Sequence, residues 1–265
     1  MNQTDLKARL ELALDAACRA GELTLGHFNK PDLQVERKRD GTPVTAADRQ
    51  AEEYLRSRIA AGFPEDAILG EEMPDRPGTS GYRWILDPID GTKSFVHGVP
   101  LFGTLVGVEF EQRPAIGVVV LPALEEYVYA VCGQGAWWHT RGAEKPRPAR
   151  VSQVDRLDEA TFCVTEVNEF VRTGRFSAYD ELRGKCRLVR GWGDCYGYFL
   201  IATGRAEIMI EPELSLWDMA ALPPILEEAG GTFTDWEGNP TIYSGEGVAT
   251  NGQLREQVLA ITRGK

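Results

Sequence analysis

Apolar positions near the start of the chain recur at helical spacing. The residues between 5 and 28 that share one predicted helical face are Leu6, Leu10, Ala13, Leu14, Ala17 and Leu25. A second helix is predicted from Thr45 to about Ala61, because Thr45 and Asp48 have the spacing of a capping box. Short strands are predicted at 34–38, before a turn at Asp40-Gly41, and at 67–72.

The strongest apolar run begins at Trp84 and predicts a buried strand. Pro88 is expected to end its regular pairing, since proline donates no backbone hydrogen bond. Four further strand-like runs follow in close succession, at 102–110, 115–121, 126–131 and 134–138. With the break at 111–114 between the first two, they indicate a largely antiparallel meander.

Strands and helices alternate in the remainder of the chain. Strands are predicted at 161–165, 188–190, 206–210, 232–234 and 248–250, and helices at 176–184, 194–202, 217–229 and 254–262. Pro223 and Pro224 fall inside the third of these helices. An interior proline costs about 3 kcal/mol, so we expect a kink or a later helix start.

The antiparallel meander, together with the later alternation of strands and helices, predicts an α/β fold of the layered α+β kind, with alternating helix and sheet layers. We expect a single domain over 1–265. The polar stretch 140–150, which contains glycine and two prolines, is the predicted seam between an N-terminal half of about 1–145 and a C-terminal half of about 146–265.

Composition narrows the functional classes. The 265 residues carry a formal net charge of −11, which argues against a nucleic-acid partner. No apolar run is long enough for a membrane span, and the first residues lack the pattern of a signal peptide. Five widely spaced cysteines suit reduced thiols, so a cytoplasmic location is expected.

Acidic residues mark the candidate chemistry. Asp87 and Asp90 come at the carboxyl end of the buried strand, where two carboxylates repel unless a cation lies between them. Mg²⁺ prefers such oxygen ligands. The backbone N–H groups after Gly91 can face a phosphate beside that cation at a helix start. Alternatively, the two aspartates only cap backbone groups of a turn.

Four other acidic residues also have two possible interpretations. Glu71 and Glu72 follow a short strand and are alternatively a solvated acidic loop. Asp218 lies three residues after Ser215, and Asp48 three after Thr45, so both also fit capping boxes. The sequence lacks the cysteine and histidine patterns of enzymes that transfer phosphate through a covalent intermediate, and a covalent carboxylate nucleophile stays open as a minor alternative.

Three motifs together resemble the inositol monophosphatase family of Mg²⁺-dependent, lithium-sensitive phosphatases. They are Gly70-Glu71-Glu72, the D-P-I-D-G-T core of residues 84–95, and Trp217-Asp218 with 227–231. The similarity spans nearly the whole chain. It implies the family's sandwich of helix and sheet layers, a small phosphate monoester as substrate, and commonly a homodimer.

The resemblance also implies roles for single residues and two to three Mg²⁺ ions. One ion would be held by Glu71, Asp87 and the carbonyl of Ile89. A second would be held by Asp87, Asp90 and Asp218, and Glu71 would reach a third through water. Thr92 would orient the attacking water with support from Asp48, and Gly91 and Thr92 would donate N–H groups to the phosphate. Lys38 matches a basic position near the metals.

Substrate choice is predicted to depend on later residues. The stretch Gly191-Trp192-Gly193-Asp194-Cys195-Tyr196-Gly197 resembles the histidinol-phosphate phosphatases within the family. Glu211 matches a position that contacts the non-phosphate part of the substrate. Two carboxylates there would suit a cationic alcohol better than a neutral polyol. Alternatively, Asp194 only caps the helix that it begins, and Trp192 is either a substrate wall or plain packing.

The predicted function is therefore hydrolysis of L-histidinol phosphate to L-histidinol and phosphate. Two metal ions can hold the entering and leaving oxygens of an in-line displacement. The alternatives are a broader inositol, sugar or nucleotide phosphatase and, more distantly, a non-catalytic regulatory protein on the same scaffold.

Overall fold

The structure, a computed structural model, describes residues 3–38 and 41–263. The turn predicted at Asp40-Gly41 therefore lies partly outside the described residues. Within them the helices are α1 (Gln3–Leu25), α2 (Ala46–Gly62), α3 (Thr92–Val96), α4 (Val167–Arg172), α5 (Phe176–Lys185), α6 (Asp194–Ala202), α7 (Leu216–Met219), α8 (Leu222–Glu228) and α9 (Arg255–Thr262). Single 3-10 turns occur at Pro122–Leu124 and Leu157–Glu159.

A short antiparallel ribbon, β1 (Val35–Arg37) with β2 (Pro43–Thr45), precedes the main sheets. The first sheet has the strand order β3 (Ala67–Gly70), β4 (Tyr82–Asp90), β5 (Gly103–Phe110), β6 (Arg113–Leu121), β7 (Glu126–Val131), β8 (Ala136–His139) and β9 (Arg147–Pro148). Only β3 with β4 is a parallel pair among these described strands. The predicted antiparallel meander is confirmed.

The second sheet contains β10 (Thr161–Cys163), β11 (Leu188–Arg190), β12 (Ile208–Glu211), β13 (Thr232–Thr234) and β14 (Gly247–Thr250). Its spatial order is β11-β10-β12-β14-β13. The pairs of β10 with β11 and β12 are parallel, and the two pairs of β14 are antiparallel. The sheet is therefore mixed.

Alternate side chains along each strand face opposite sides of the sheet and pack against different helix layers. In β4, Trp84 and Leu86 pack in the cluster that contains α1 and α2, whereas Ile85 packs on the opposite side with α6 and α8. In the second sheet, Met209 faces the α6 and α8 layer, and Ile208 packs with α5 and α9. The result is a helix–sheet–helix–sheet–helix sandwich, which confirms the predicted layered fold.

The pairing of strand β4 becomes irregular around Pro88. The register of the strand with β5 shifts between Asp87, opposite Leu105, and Asp90, opposite Gly103. Regular pairing therefore ends before Pro88, as predicted, although the strand itself continues to Asp90. An irregularity of this kind redirects neighbouring side chains, and here it lies between the two candidate carboxylates.

The kink or later helix start expected from Pro223 and Pro224 is confirmed. The helix predicted over 217–229 is interrupted between α7 and α8, and both prolines lie in the first turn of α8. Proline is tolerated there because those N–H groups have no partner within the helix. Helix α4 was not predicted, and β6 begins at Arg113 rather than after the expected 111–114 break.

In the described part of the chain, no helix is both long and apolar enough to span a bilayer.

Candidate active site

Three aspartates from two elements meet at the end of β4. Asp87 and Asp90 come from β4 and Asp218 from α7, and each offers a carboxylate oxygen within 4.8 Å of the others. Asp87 is buried, and its Oδ1 has no hydrogen-bond partner among the described residues. A buried oxygen without a donor, inside a group of oxygen ligands, fits a hard cation.

The electrostatics of these three aspartates also favour a bound cation. Burial, and after it the charges of Glu71, Asp90 and Asp218, raise the pKa of Asp87 well above its usual value. Burial also raises the pKa of Asp90, helped by Asp194 and Asp218, and raises that of Asp218 to about 6. Three buried carboxylates so close together carry their negative charges at a cost. A bound cation would offset that cost.

Glu71 lies beside this group and is held by Lys38. The Nζ atom of Lys38 is 2.6 Å from Glu71 Oε1 and 2.5 Å from Glu72 Oε1. Burial raises the pKa of Glu71 to about 7 although Lys38 opposes the shift. The β1–β2 ribbon leads into this contact, so Lys38 supplies an internal positive charge next to the aspartates.

The turn after β4 forms the floor of the site. Gly91 has φ +83°, a left-handed conformation, and a Cβ atom there would come within 3.1 Å of Asp194 Oδ2 and of the Leu101 carbonyl. Glycine is therefore required. The Thr92 hydroxyl donates a hydrogen bond to the Ile89 carbonyl at 2.9 Å. That leaves the hydroxyl oxygen available as an acceptor.

Asp48 is fully buried at the start of α2 and completes the predicted capping box. Its Oδ2 accepts hydrogen bonds from the Thr45 backbone N–H at 2.8 Å and from the Thr45 hydroxyl at 2.6 Å. Its Oδ1 has no partner among the described residues. Asp218 likewise accepts a 2.6 Å bond from the Ser215 backbone N–H. Both acids therefore cap a helix and still have an oxygen that the cap does not use.

A second acidic pair lies across the cavity. Asp194 begins α6 in a left-handed conformation, with φ +50°. Glu211, at the end of β12, is 4% exposed, accepts a 2.7 Å hydrogen bond from the Tyr198 hydroxyl, and accepts another from the Thr165 hydroxyl. Burial raises the pKa of Glu211 to about 8 and that of Asp194 to about 6.

One cavity of about 380 Å³ joins the two acidic groups. Of the residues singled out from the sequence, those that line it are Glu71, Asp90, Gly91, Thr92, Asp194, Glu211 and Asp218. Those that are not among its described lining residues are Lys38, Asp48, Asp87, Ile89 and Trp192. Trp192 is partly buried and packs against the central apolar cluster. The position of Trp192 favours a packing role over that of a substrate wall.

The outer part of the cavity contains residues that the sequence did not single out. Glu166 and Glu169 reach it from the start of α4, Glu213 from the segment after β12, and Lys93 from α3. The sequence signal for Glu166 and Glu169 is weak, because α4 is short and only Phe170 within it is buried.

The arrangement can bind a cation at its inner end, accept a phosphate beside the Gly91 turn, and contact a positively charged group farther out. These are the elements of a metal-assisted phosphoryl transfer, in which positioning and charge stabilisation do most of the work.

Comparison with known proteins agrees with this chemistry. The profile of the inositol monophosphatase family matches residues 5–264. The histidinol-phosphatase of Chlorobaculum parvum is 45% identical over 258 residues, covering 97% of each chain. That of Mycobacterium tuberculosis is 40% identical, covering 94% of this chain and 96% of the relative. The solved structure of an inositol monophosphatase from Zymomonas mobilis has a TM-score of 0.84 at 33% identity and covers 99% of both chains.

Fold and site thus define a phosphoric monoester hydrolase, as the sequence predicted. The chain belongs to the inositol monophosphatase family. The predicted family resemblance is confirmed, and the acidic group at the end of β4 is its candidate metal centre.

Proposed function

We propose that this protein is a Mg²⁺-dependent histidinol-phosphate phosphatase, which hydrolyses L-histidinol phosphate to L-histidinol and phosphate. The observation that carries the proposal is that Asp194 and Glu211 line the same cavity as Asp90 and Asp218. The alcohol part of a bound ester would meet negative charge, which favours a cationic alcohol over a neutral polyol. The two histidinol-phosphatases above support this substrate.

The ligand set favours Mg²⁺ because every candidate donor is an oxygen. Two to three ions are proposed. Glu71, Asp87 and the Ile89 carbonyl would hold the first, and Asp87, Asp90 and Asp218 the second. Glu71 would also reach the third. When bound, the ions supply positive charge for the phosphoryl oxygens and lower the pKa of water.

The remaining residues would position the reactants. Thr92 would orient the attacking water by accepting a hydrogen bond from it, because its own hydroxyl hydrogen is committed to the Ile89 carbonyl. Asp48 would assist through its unpaired Oδ1. The N–H groups of Gly91 and Thr92 would hold the phosphate. Lys38 would keep Glu71 in place near the metals.

At the other end of the cavity, Asp194 would bind the substrate ammonium group, which lies one carbon from the phosphoryloxymethyl carbon. Glu211, oriented by Thr165 and Tyr198, would support that contact. Trp192 would act on the site only through packing, since it belongs to the apolar cluster.

Two assays test the proposal. Phosphate release from histidinol phosphate should require added Mg²⁺ and stop in EDTA, and no turnover on any ester would favour the non-catalytic alternative. A panel with inositol 1-phosphate and sugar phosphates separates the broader phosphatase from the proposed one.

A homodimer and a cytoplasmic location are further parts of the proposal. Trp137 on β8 is 37% exposed, and a subunit interface on the first sheet would cover it. Light scattering gives the molar mass in solution, and a monomer would refute the dimer.

A further inference from the structure

The outer part of the cavity contains three glutamates, two of which already have cationic partners. Glu166 pairs with Lys93 at 2.6 Å, and Glu213 with Arg172 at 2.6 Å. Glu169 has no side-chain hydrogen bond or ion pair with any residue that the structure describes. It is the acid in this part of the cavity that remains available to a ligand.

Glu169 is also partly shielded from water. Its pKa is raised to about 7, first by burial and then by the charge of Glu166. A carboxylate in such surroundings interacts strongly with a cation or an N–H donor, because the solvent screens it less than at an open surface. The cavity wall around it includes Val99, Leu101 and Leu214, which offer apolar surface for a flat ring.

The neighbours of Asp194 and of Glu169 indicate that Asp194 lies nearer to the metal centre. The aspartates of the metal centre and the Gly91 turn lie at one end, and Asp194 follows next to Gly91. The charges that act most on Glu169 are those of the outer residues Glu166, Lys93, Arg172 and Glu213. In histidinol phosphate, the ammonium group lies close to the phosphate and the imidazole ring is farther away.

We infer that Glu169 is a specificity-determining residue that accepts a hydrogen bond from the imidazole ring of the substrate. This inference rests on the proposed function and extends it, because Asp194 alone would recognise any phosphate ester with a nearby amine. Glu169 distinguishes the ester whose alcohol also carries a ring N–H, and α4 is the element that brings it to the cavity.

Two esters separate these roles. Histidinol phosphate carries both the amine and the ring, whereas phosphoethanolamine carries the amine alone. For Glu169→Gln we expect KM for histidinol phosphate to rise about 10-fold or more, the usual loss for a charged hydrogen bond. The same variant should leave kcat/KM for phosphoethanolamine within about 2-fold. Glu169→Asp, which keeps the charge, should restore part of the affinity.

Glu166→Gln is the matched control, because its carboxylate lies on the same wall but is already paired with Lys93. It should change KM for histidinol phosphate much less than Glu169→Gln. Thermal unfolding of each variant checks that the fold is kept.

Unchanged kinetics in Glu169→Gln, or equal losses on both esters, would overturn the inference. Failure of the proposed function looks different, since the unmodified protein would then not prefer histidinol phosphate at all.

Discussion

The hydroxyl oxygen of Thr165 accepts a 2.8 Å hydrogen bond from the backbone N–H of Asp194. The same hydroxyl donates its hydrogen to the Glu211 carboxylate. One side chain therefore holds both acids of the proposed substrate end. The backbone at Gly193 lies very close to Thr165, since a Cβ atom on Gly193 would come within 2.3 Å of the Thr165 Cα atom.

Thr165→Val should weaken substrate binding. Valine has the same shape but can neither accept from Asp194 nor donate to Glu211. We expect KM for histidinol phosphate to rise about 5- to 50-fold and the free energy of unfolding to fall by about 1–3 kcal/mol, the range for buried groups left without a hydrogen-bond partner. Steady-state kinetics and urea unfolding measure the two effects.

Thr203→Val is the control for that variant. The Thr203 hydroxyl donates to the Phe199 carbonyl at 2.7 Å and accepts from Arg205 at 3.0 Å, and Thr203 is not among the described residues that line the cavity. Stability should fall similarly while KM is unchanged. A similar rise of KM in both variants would show that Thr165 acts only through the fold.

Asp194→Asn tests the charge at the substrate end without disturbing the backbone. Asparagine tolerates the left-handed φ of +50° found here. We expect kcat/KM for histidinol phosphate to fall about 10- to 100-fold, since a charged hydrogen bond is lost, and that for glycerol phosphate to stay nearly constant. Equal losses on the two esters would refute the charge argument.

Asp87→Asn should stabilise the metal-free protein at high pH. The folded-state pKa of Asp87 lies well above the unfolded value. Its contribution to stability is therefore present at low pH and is lost as pH rises above the unfolded value, about 4. In EDTA at pH 8 we expect the free energy of unfolding of the variant to exceed that of the unmodified protein by at least about 1.4 kcal/mol, the equivalent of one pKa unit.

The difference should shrink at pH 5, and saturating Mg²⁺ should reverse it, because the unmodified protein binds the ion more tightly. Asp32→Asn, an exposed change, serves as the control and should have no effect. If Asp87→Asn is the less stable protein in EDTA at both pH values, the Asp87 carboxylate does not destabilise the metal-free protein, and the prediction is wrong.

Much of the fold could be predicted because the apolar pattern is strong where the layers pack. The run from Trp84 and the meander after it are examples. Helix α4 could not be predicted, since six residues with only Phe170 buried show no periodicity. The interruption of regular pairing at Pro88 could be predicted because proline lacks a backbone N–H group, whereas the continuation of β4 to Asp90 could not.

The candidate site was predictable where a motif places acids at the ends of elements, as with Asp87, Asp90 and Asp218. Contacts between distant elements were not predictable. Neither the pairing of Lys38 with both Glu71 and Glu72 nor the position of Glu169 in the cavity follows from spacing along the chain.

The central claim is that this cavity selects a cationic phosphate ester. The most direct measurement is the ratio of kcat/KM for histidinol phosphate to that for inositol 1-phosphate, both with saturating Mg²⁺. The account predicts a ratio of about 100 or more, the equivalent of roughly 2.8 kcal/mol in transition-state binding. A ratio of one or below would contradict it.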